Sequence, residues 1–176
     1  EIINLKKKYR FKKKKKLLTT TNGKFLEVFK KNHAELLKKE LIENKELKDP
    51  NSLVNLTIFS CNLDQIEINL IKQKIFELLN FDFVLFGCFE EQELIKLMNK
   101  KFNPLIRDFK NFFKLKLLTV DSIFKFNKVK SKNFRRYLDD LNIFQLTVFY
   151  KLSSLTKSVI LSYFFINGKI NKNTLY

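Results

Sequence analysis

Apolar positions along this 176-residue chain follow the helical period over most of its length. From Phe25 to about Lys48, the residues Phe25, Phe29, Leu36, Leu37 and Leu41 recur near 3.6-residue spacing. That spacing predicts a helix, closed by Asp49-Pro50-Asn51. Ser52 to Ser60 is apolar and β-branched and reads as a strand or a buried loop. Leu63 to Leu79 predicts a second helix with Ile66, Leu70, Ile71, Ile75 and Leu78 on one stripe. Phe81 to Phe86 alternates weakly and reads as extended. Glu90 to Lys101 predicts a third helix with Leu94, Leu97 and Met98 inward. Its first glutamates suit the positive end of the helix dipole, and Lys100 and Lys101 the negative end. Phe102-Asn103-Pro104 reads as its stop. Leu105 to Phe126 is apolar and Lys-rich without a clean period, with Asp121 or Ser122 as the cap of a short helix.

The last third is amphipathic from Tyr137 to Leu152, then helical from about Leu155 to Leu161. Phe144, Leu146, Phe149, Leu152, Ile160, Phe164 and Ile166 read as core positions. Tyr163 to Ile170 contains Asn167-Gly168 between apolar residues, the pattern of a β-hairpin turn. The expected architecture is α+β. A basic arm (residues 1–24) precedes a helical, Phe-rich body (25–126) and a C-terminal motif of two helices plus a hairpin (127–176).

Charge changes this picture more than hydropathy does. The 35 basic residues outnumber the 18 acidic ones, for a net charge of +17. Residues 1–16 carry a net +8 and residues 125–140 a net +4, so two short stretches hold 12 of the 17 charges. A field this concentrated calls for a polyanionic partner, nucleic acid before an anionic membrane surface. At 45% hydrophobic residues, the chain is too apolar for a disordered basic tail. Nine of the eleven residues from Lys6 to Lys16 are Lys or Arg. Such a run repels itself and is expected to stay extended until neutralised. It reads as an RNA-contacting arm or as a solvated, targeting-like tail. Tyr9 and Phe11 within it either stack on bases or dock the arm. Thr21-Asn22-Gly23 marks a turn after it.

Of the basic residues, 31 are Lys and 4 are Arg, while Phe is 20, Gly 3, Pro 2 and Trp absent. Residues with AT-rich codons are favoured throughout, which points to a very AT-rich genome, often an organellar one. Cys61 and Cys88 stand alone without a CxxC pair, so metal and redox readings are not supported and each reads as a buried free thiol. His33, the only histidine, has no Cys or carboxylate companions in a ligand pattern. No secretory signal is seen. The longest apolar candidate, Ser158 to Ile166, is nine residues and far short of a span of about 18.

The order of motifs resembles the small-subunit ribosomal protein S-four family and its alpha-L RNA-binding motif. The matching text is Arg135-Arg136-Tyr137-Leu138-Asp139, then Val148-Phe149-Tyr150-Lys151-Leu152, Thr156-Lys157-Ser158-Val159-Ile160 and Ile166-Asn167-Gly168-Lys169 through Tyr176. Upstream, Phe86-Gly87-Cys88-Phe89-Glu90-Glu91-Gln92 is similar to a second family segment, and Lys8-Tyr9-Arg10 to its N-terminal extension. The resemblance implies a structural constituent of the small subunit of an organellar, mitochondrial ribosome. Its implied partners are small-subunit rRNA and neighbouring small-subunit ribosomal proteins.

The expected RNA-binding residues are Lys6, Lys7, Lys8, Arg10, Lys12, Lys13, Lys14, Lys15 and Lys16 in the arm. Towards the C-terminus they are Lys128, Lys130, Lys132, Arg135, Arg136, Lys151, Lys157, Lys169 and Lys172. The alternative for each is a solvated face. No Ser/His/Asp set, Gly-rich phosphate loop or HExxH occurs, and adjacent Asp139 and Asp140 point to different helix faces. The expectation is therefore no enzyme, no cofactor, no metal, no small-molecule substrate and no transmembrane segment. Two other readings remain: an organelle-specific ribosomal protein of another family, and a basic peripheral subunit of a membrane complex. An RNA-modifying enzyme lacks room for a catalytic domain.

Overall fold

The structure, a computed structural model, describes residues 1–43, 49–50, 52–87, 91–119 and 126–175. The chain divides into two compact units, Glu1–Ile68 and Asn69–Tyr176. The expected α+β class is observed, mostly helical with one small antiparallel sheet.

In the first unit the basic run is not a free arm. It forms β1 (Ile2–Leu5), β2 (Lys8–Lys13) and β3 (Lys16–Leu17), with β4 (Glu27–Val28) supplied from downstream. β2 is central: Ile2 to Leu5 pair with Phe11 to Lys8, Lys12 and Lys13 with Leu17 and Lys16, and Tyr9 and Arg10 with Val28 and Glu27. The physical reason is the period-two alternation of Lys8, Tyr9, Arg10, Phe11 and Lys12, which puts Phe11 inside at 2% exposure and leaves Lys8, Arg10 and Lys12 half-buried on the other face. Glu27 offsets the charge by binding Lys8 at 2.5 Å and Arg10 at 3.0 Å. The turns use Lys6 (φ 51°), Lys14 (φ 45°) and Lys15 (φ 69°) in the left-handed region, where Gly or Asn is usual.

The expected helix from Phe25 starts only at α1 (Lys31–Glu43), because residues 25–28 are drawn into the sheet. The segment read as strand or buried loop is α2 (Leu53–Asn62). Ser52 caps it by accepting from the Asn55 N–H at 3.2 Å. Glu40 of α1 also accepts from the Leu53 and Val54 N–H groups at 3.0 and 2.6 Å. A carboxylate on the first turn complements the helix dipole, so a contact from another helix decides the conformation of a β-branched sequence.

The second unit takes most of α3 (Gln65–Asn80). It continues through a single 3₁₀ turn (Phe83–Leu85), α4 (Gln92–Phe113), α5 (Lys132–Asp140), α6 (Ile143–Thr156), α7 (Val159–Ile166) and α8 (Lys172–Leu175). The weakly extended reading of Phe81 to Phe86 is thus replaced in part by the 3₁₀ turn. Pro104 does not stop α4. It costs one backbone bond, while the continued helix brings Phe109 and Phe113 into the core. There Phe109, Phe113, Phe134 and Tyr163 meet edge-on, with ring centroids 4.8 Å (Phe109–Phe113), 5.0 Å (Phe113–Phe134) and 5.3 Å (Phe109–Tyr163) apart.

The stretch read as continuous from Tyr137 to Leu152 is broken at Leu141 by a capping box. Asn142 Oδ1 accepts from the Gln145 N–H, and Gln145 Oε1 accepts from the Asn142 N–H, both at 3.0 Å. The hairpin expected over residues 163–170 is not formed. Those residues end α7, whose Val159 to Phe164 are all buried. The Asn167-Gly168 pair closes the helix: the Gly168 N–H donates to the Phe165 carbonyl and the Lys169 N–H to the Phe164 carbonyl, each at 2.9 Å. This is a Schellman closure, and Gly168 at φ 69° takes its left-handed position. The same dipeptide suits a hairpin turn or a helix end, and burial of the preceding apolar run selects the second. The expected cap at Asp121 or Ser122, and Cys88, Glu90 and Lys125, lie outside the described residues.

Candidate functional site

A groove in the second unit is built from α3, the segment 127–131 and α5. Asn80, at the end of α3, holds that segment: its carbonyl accepts from the Asn127 N–H at 3.1 Å and its Oδ1 from the Val129 N–H at 2.8 Å. Ser131 then fixes the start of α5. Its hydroxyl donates to the Phe113 carbonyl at 3.0 Å and accepts from the Phe134 N–H at 3.1 Å. Burial of Phe134 and Leu138 orients α5, so Lys132, Arg135 and Asp139 reach the groove while Arg136 does not line it. From α3 come Asn69, Lys72, Gln73 and Phe76, at i, i+3, i+4 and i+7 on one face.

The groove has a volume of about 880 Å³. Among the described residues its walls carry four basic side chains, Lys72, Lys130, Lys132 and Arg135, against one carboxylate, Asp139. Lys72, only 20% exposed, holds Asp139 at 2.6 Å. The Arg135 guanidinium lies over the Phe76 ring at 5.5 Å. Phe76 and Val129, both half-buried, supply apolar wall, with the fully buried Leu138 behind them. Such a surface binds anions and apolar groups together; no nucleophile and base face each other in it.

The sequence reading singled out Lys130, Lys132 and Arg135, and all three line this groove. It missed Lys72 and Phe76, whose signal is the four-residue face on α3. The other expected residues are scattered. Lys128 stands over Phe126 at 5.8 Å, and Lys169 over Phe164 at 5.6 Å. Lys151 lies on α6, Lys157 is the left-handed residue after it, and Lys172 starts α8. In the first unit, Lys6, Lys7, Lys14 and Lys15 form turns, Lys12 and Lys13 sit on β2 and Lys16 on β3. Lys8 and Arg10 are engaged by Glu27 and lie over Phe29 and Phe25 at 5.6 and 4.1 Å. Burial alone would raise the Glu27 carboxyl, but its hydrogen bonds and charge contacts with Lys8 and Arg10 outweigh that and hold it below its ordinary range.

Two other titratable groups are internal. His33 contacts the Thr57 hydroxyl at 3.0 Å, and burial lowers its basicity. Asp82 is fully buried. Its Oδ2 accepts from the Val159 and Ile160 N–H groups at 2.7 and 3.0 Å, and its Oδ1 from Val84 at 3.2 Å. Burial pushes its carboxyl up to about 6, against the hydrogen bonds from Ser158, Ile160, Val84 and Val159. It fastens residues 82–85 to the start of α7. Cys61 is a free thiol whose ionisation burial opposes. Among the described residues, no three His, Cys, Asp or Glu side chains gather, and no helix is long and apolar enough to cross a membrane.

No family model and no curated protein matches the chain. Solved structures do. A protein from Agrobacterium tumefaciens, Atu1473, carrying a provisional chaperone assignment, superposes with a TM-score of 0.87 at 15% identity, covering 99% of this chain and 68% of that one. Atp12 from Paracoccus denitrificans gives 0.83 at 18% identity, covering 99% and 77%, and its D202K mutant gives the same TM-score. The fold is therefore that of these proteins over nearly the whole chain. This overturns the S-four resemblance, and with it the ribosomal role, the rRNA-binding assignment and the partners it implied: rRNA and neighbouring ribosomal proteins. The motifs that carried the resemblance are short. Those near the C-terminus are distributed over α5, α6 and α7 rather than forming two helices and a hairpin.

Proposed function

We propose that this chain is an assembly chaperone of the Atp12 kind, which holds a subunit of the F1 sector of ATP synthase, the α subunit, before it enters the enzyme. The observation that carries the reading is the superposition on Atp12 over 99% of the chain. The surface supports it. Val148 and Leu155 on α6, Phe112 on α4 and Leu118 just after α4 are exposed apolar side chains open to a client. The role needs no catalysis, in keeping with the sequence. The AT-rich composition supports a mitochondrial location, which such a role shares with the earlier reading. Of the alternatives the sequence offers, a basic peripheral subunit of a membrane complex comes nearer than a ribosomal protein, though a resident subunit is not a chaperone.

Co-expression with the F1 α subunit and, separately, the β subunit tests this. The expected result is a soluble complex with α that survives gel filtration. Failure to retain either subunit, or capture of β alone, would overturn it.

A further inference from the structure

We infer that the groove between α3 and α5 is a docking site for an acidic, extended protein segment with apolar side chains. On the reading proposed above, which this inference rests on, that segment belongs to the chaperoned subunit. Three observations converge. The volume, about 880 Å³, lies in the range of pockets that take ligands. Its charge is one-sided: Lys130 and Lys132 have no ion-pair partner among the described residues, and Arg135 faces a ring rather than a carboxylate. A carboxylate already sits on its wall, where Lys72 holds Asp139 at 2.6 Å. A carboxylate of the docking segment would add to, or exchange with, that contact.

A protein segment fits better than nucleic acid. Among the described residues Phe76 is the one aromatic ring lining the groove, and the Arg135 guanidinium at 5.5 Å already occupies a face of it that a base would stack on. Asp139, paired with Lys72, interrupts the basic wall, which suits spaced carboxylates better than a continuous phosphate chain. Val129 and the half-buried Phe76 give apolar wall for the alternate side chains of an extended segment.

The probe is a fluorescein-labelled decapeptide alternating Glu and Leu, titrated with the full chain and followed by anisotropy. Its Gln-Leu counterpart and a labelled ten-nucleotide oligouridine are the comparison arms. The Glu peptide is expected to bind, and to weaken as salt rises, while the Gln peptide binds about tenfold more weakly or less. The Lys130→Glu/Lys132→Glu variant, shown folded by circular dichroism, is expected to lose about tenfold or more in affinity. Asp139→Asn, which frees Lys72, is expected to gain affinity by a few fold. Equal binding of the Gln peptide, or no effect of the double reversal, overturns the proposal. Tighter oligouridine binding that the same reversal abolishes overturns it in favour of RNA. The co-expression assay separates the two readings. If wild type captures α and the double reversal captures it equally well, the groove proposal falls and the chaperone role stands. If wild type captures no subunit, the role falls and the peptide titration judges the groove by itself.

Discussion

Asp82 offers the sharpest test of the fold's energetics. A carboxyl with an ordinary value of 3.8 is pushed to about 6 by complete burial, despite the backbone N–H groups of Val84, Val159 and Ile160. The folded protein therefore holds the proton more tightly than the unfolded chain. Below about pH 4 both states are protonated and the group adds no pH dependence. Between about pH 4 and 6 the unfolded chain ionises first, so stability falls as pH rises. Above about 6 the loss is complete. The gap between 3.8 and about 6 corresponds to about 3 kcal/mol at 1.36 kcal/mol per pH unit.

Asp82→Asn keeps an acceptor oxygen and removes the ionisation. Urea unfolding of both proteins, followed by circular dichroism from about pH 4 to about pH 7, reads the difference while cancelling every other titrating group. The variant is expected to gain about 3 kcal/mol relative to wild type across that window. Asp82→Ala leaves the three donors without an acceptor and is expected to be less stable than Asp82→Asn at every pH. A wild-type advantage over Asp82→Asn that grows with pH would refute the reasoning. It would mean that the start of α7 stabilises the carboxylate more than burial penalises it.

Phe113→Ala empties the centre of the aromatic cluster and is expected to cost about 3–5 kcal/mol, seen as a lower urea midpoint. Glu27→Gln is expected to cost no more than about 1 kcal/mol at neutral pH, because Lys8 remains partly exposed. Its carboxyl is held below its ordinary 4.5, so that contribution is present above about 4.5 and lost as pH falls further, which a pH series of thermal midpoints would show. Gly168→Ala meets no atom within 4 Å, so only the left-handed backbone at φ 69° resists it. The expected cost is about 1 kcal/mol by thermal unfolding, and a stabilised variant would contradict the Schellman closure.

Much of the local structure was legible. The stripe from Ile66 to Leu78 fixes α3 to within a residue or two, and the glutamates near residue 90 mark the start of α4. Of the expected core, Leu146, Phe149, Ile160 and Phe164 are buried, whereas Ile166 lies at the exposed end of α7. Of the basic cluster around the start of α5, Lys132 and Arg135 share a helix face at i and i+3 and Lys130 joins them from the preceding segment, while Lys128 and Arg136 do not line the groove. The alternation of Tyr9 and Phe11 with basic residues was also a strand signal, overridden by the charge of the run. Asn142 with Gln145 was a capping box hidden inside an apolar stretch.

Other features are absent from any local window. Residues 25–28 leave the helical pattern because β2 offers them backbone partners, and Leu53 to Asn62 become helical because Glu40 of α1 meets their first N–H groups. Lys72 joins Arg135 only because Phe134 and Leu138 turn α5 towards α3. By itself, the sequence determined the helical class, the concentration of positive charge and the positions of most helices, since these depend on residue spacing along one element. The tertiary structure decided that the basic run is a sheet, that Asn-Gly ends a helix and which cations share a groove. Each of these turns on a partner far along the chain, and short motifs with the right residues in the right order do not encode that partner.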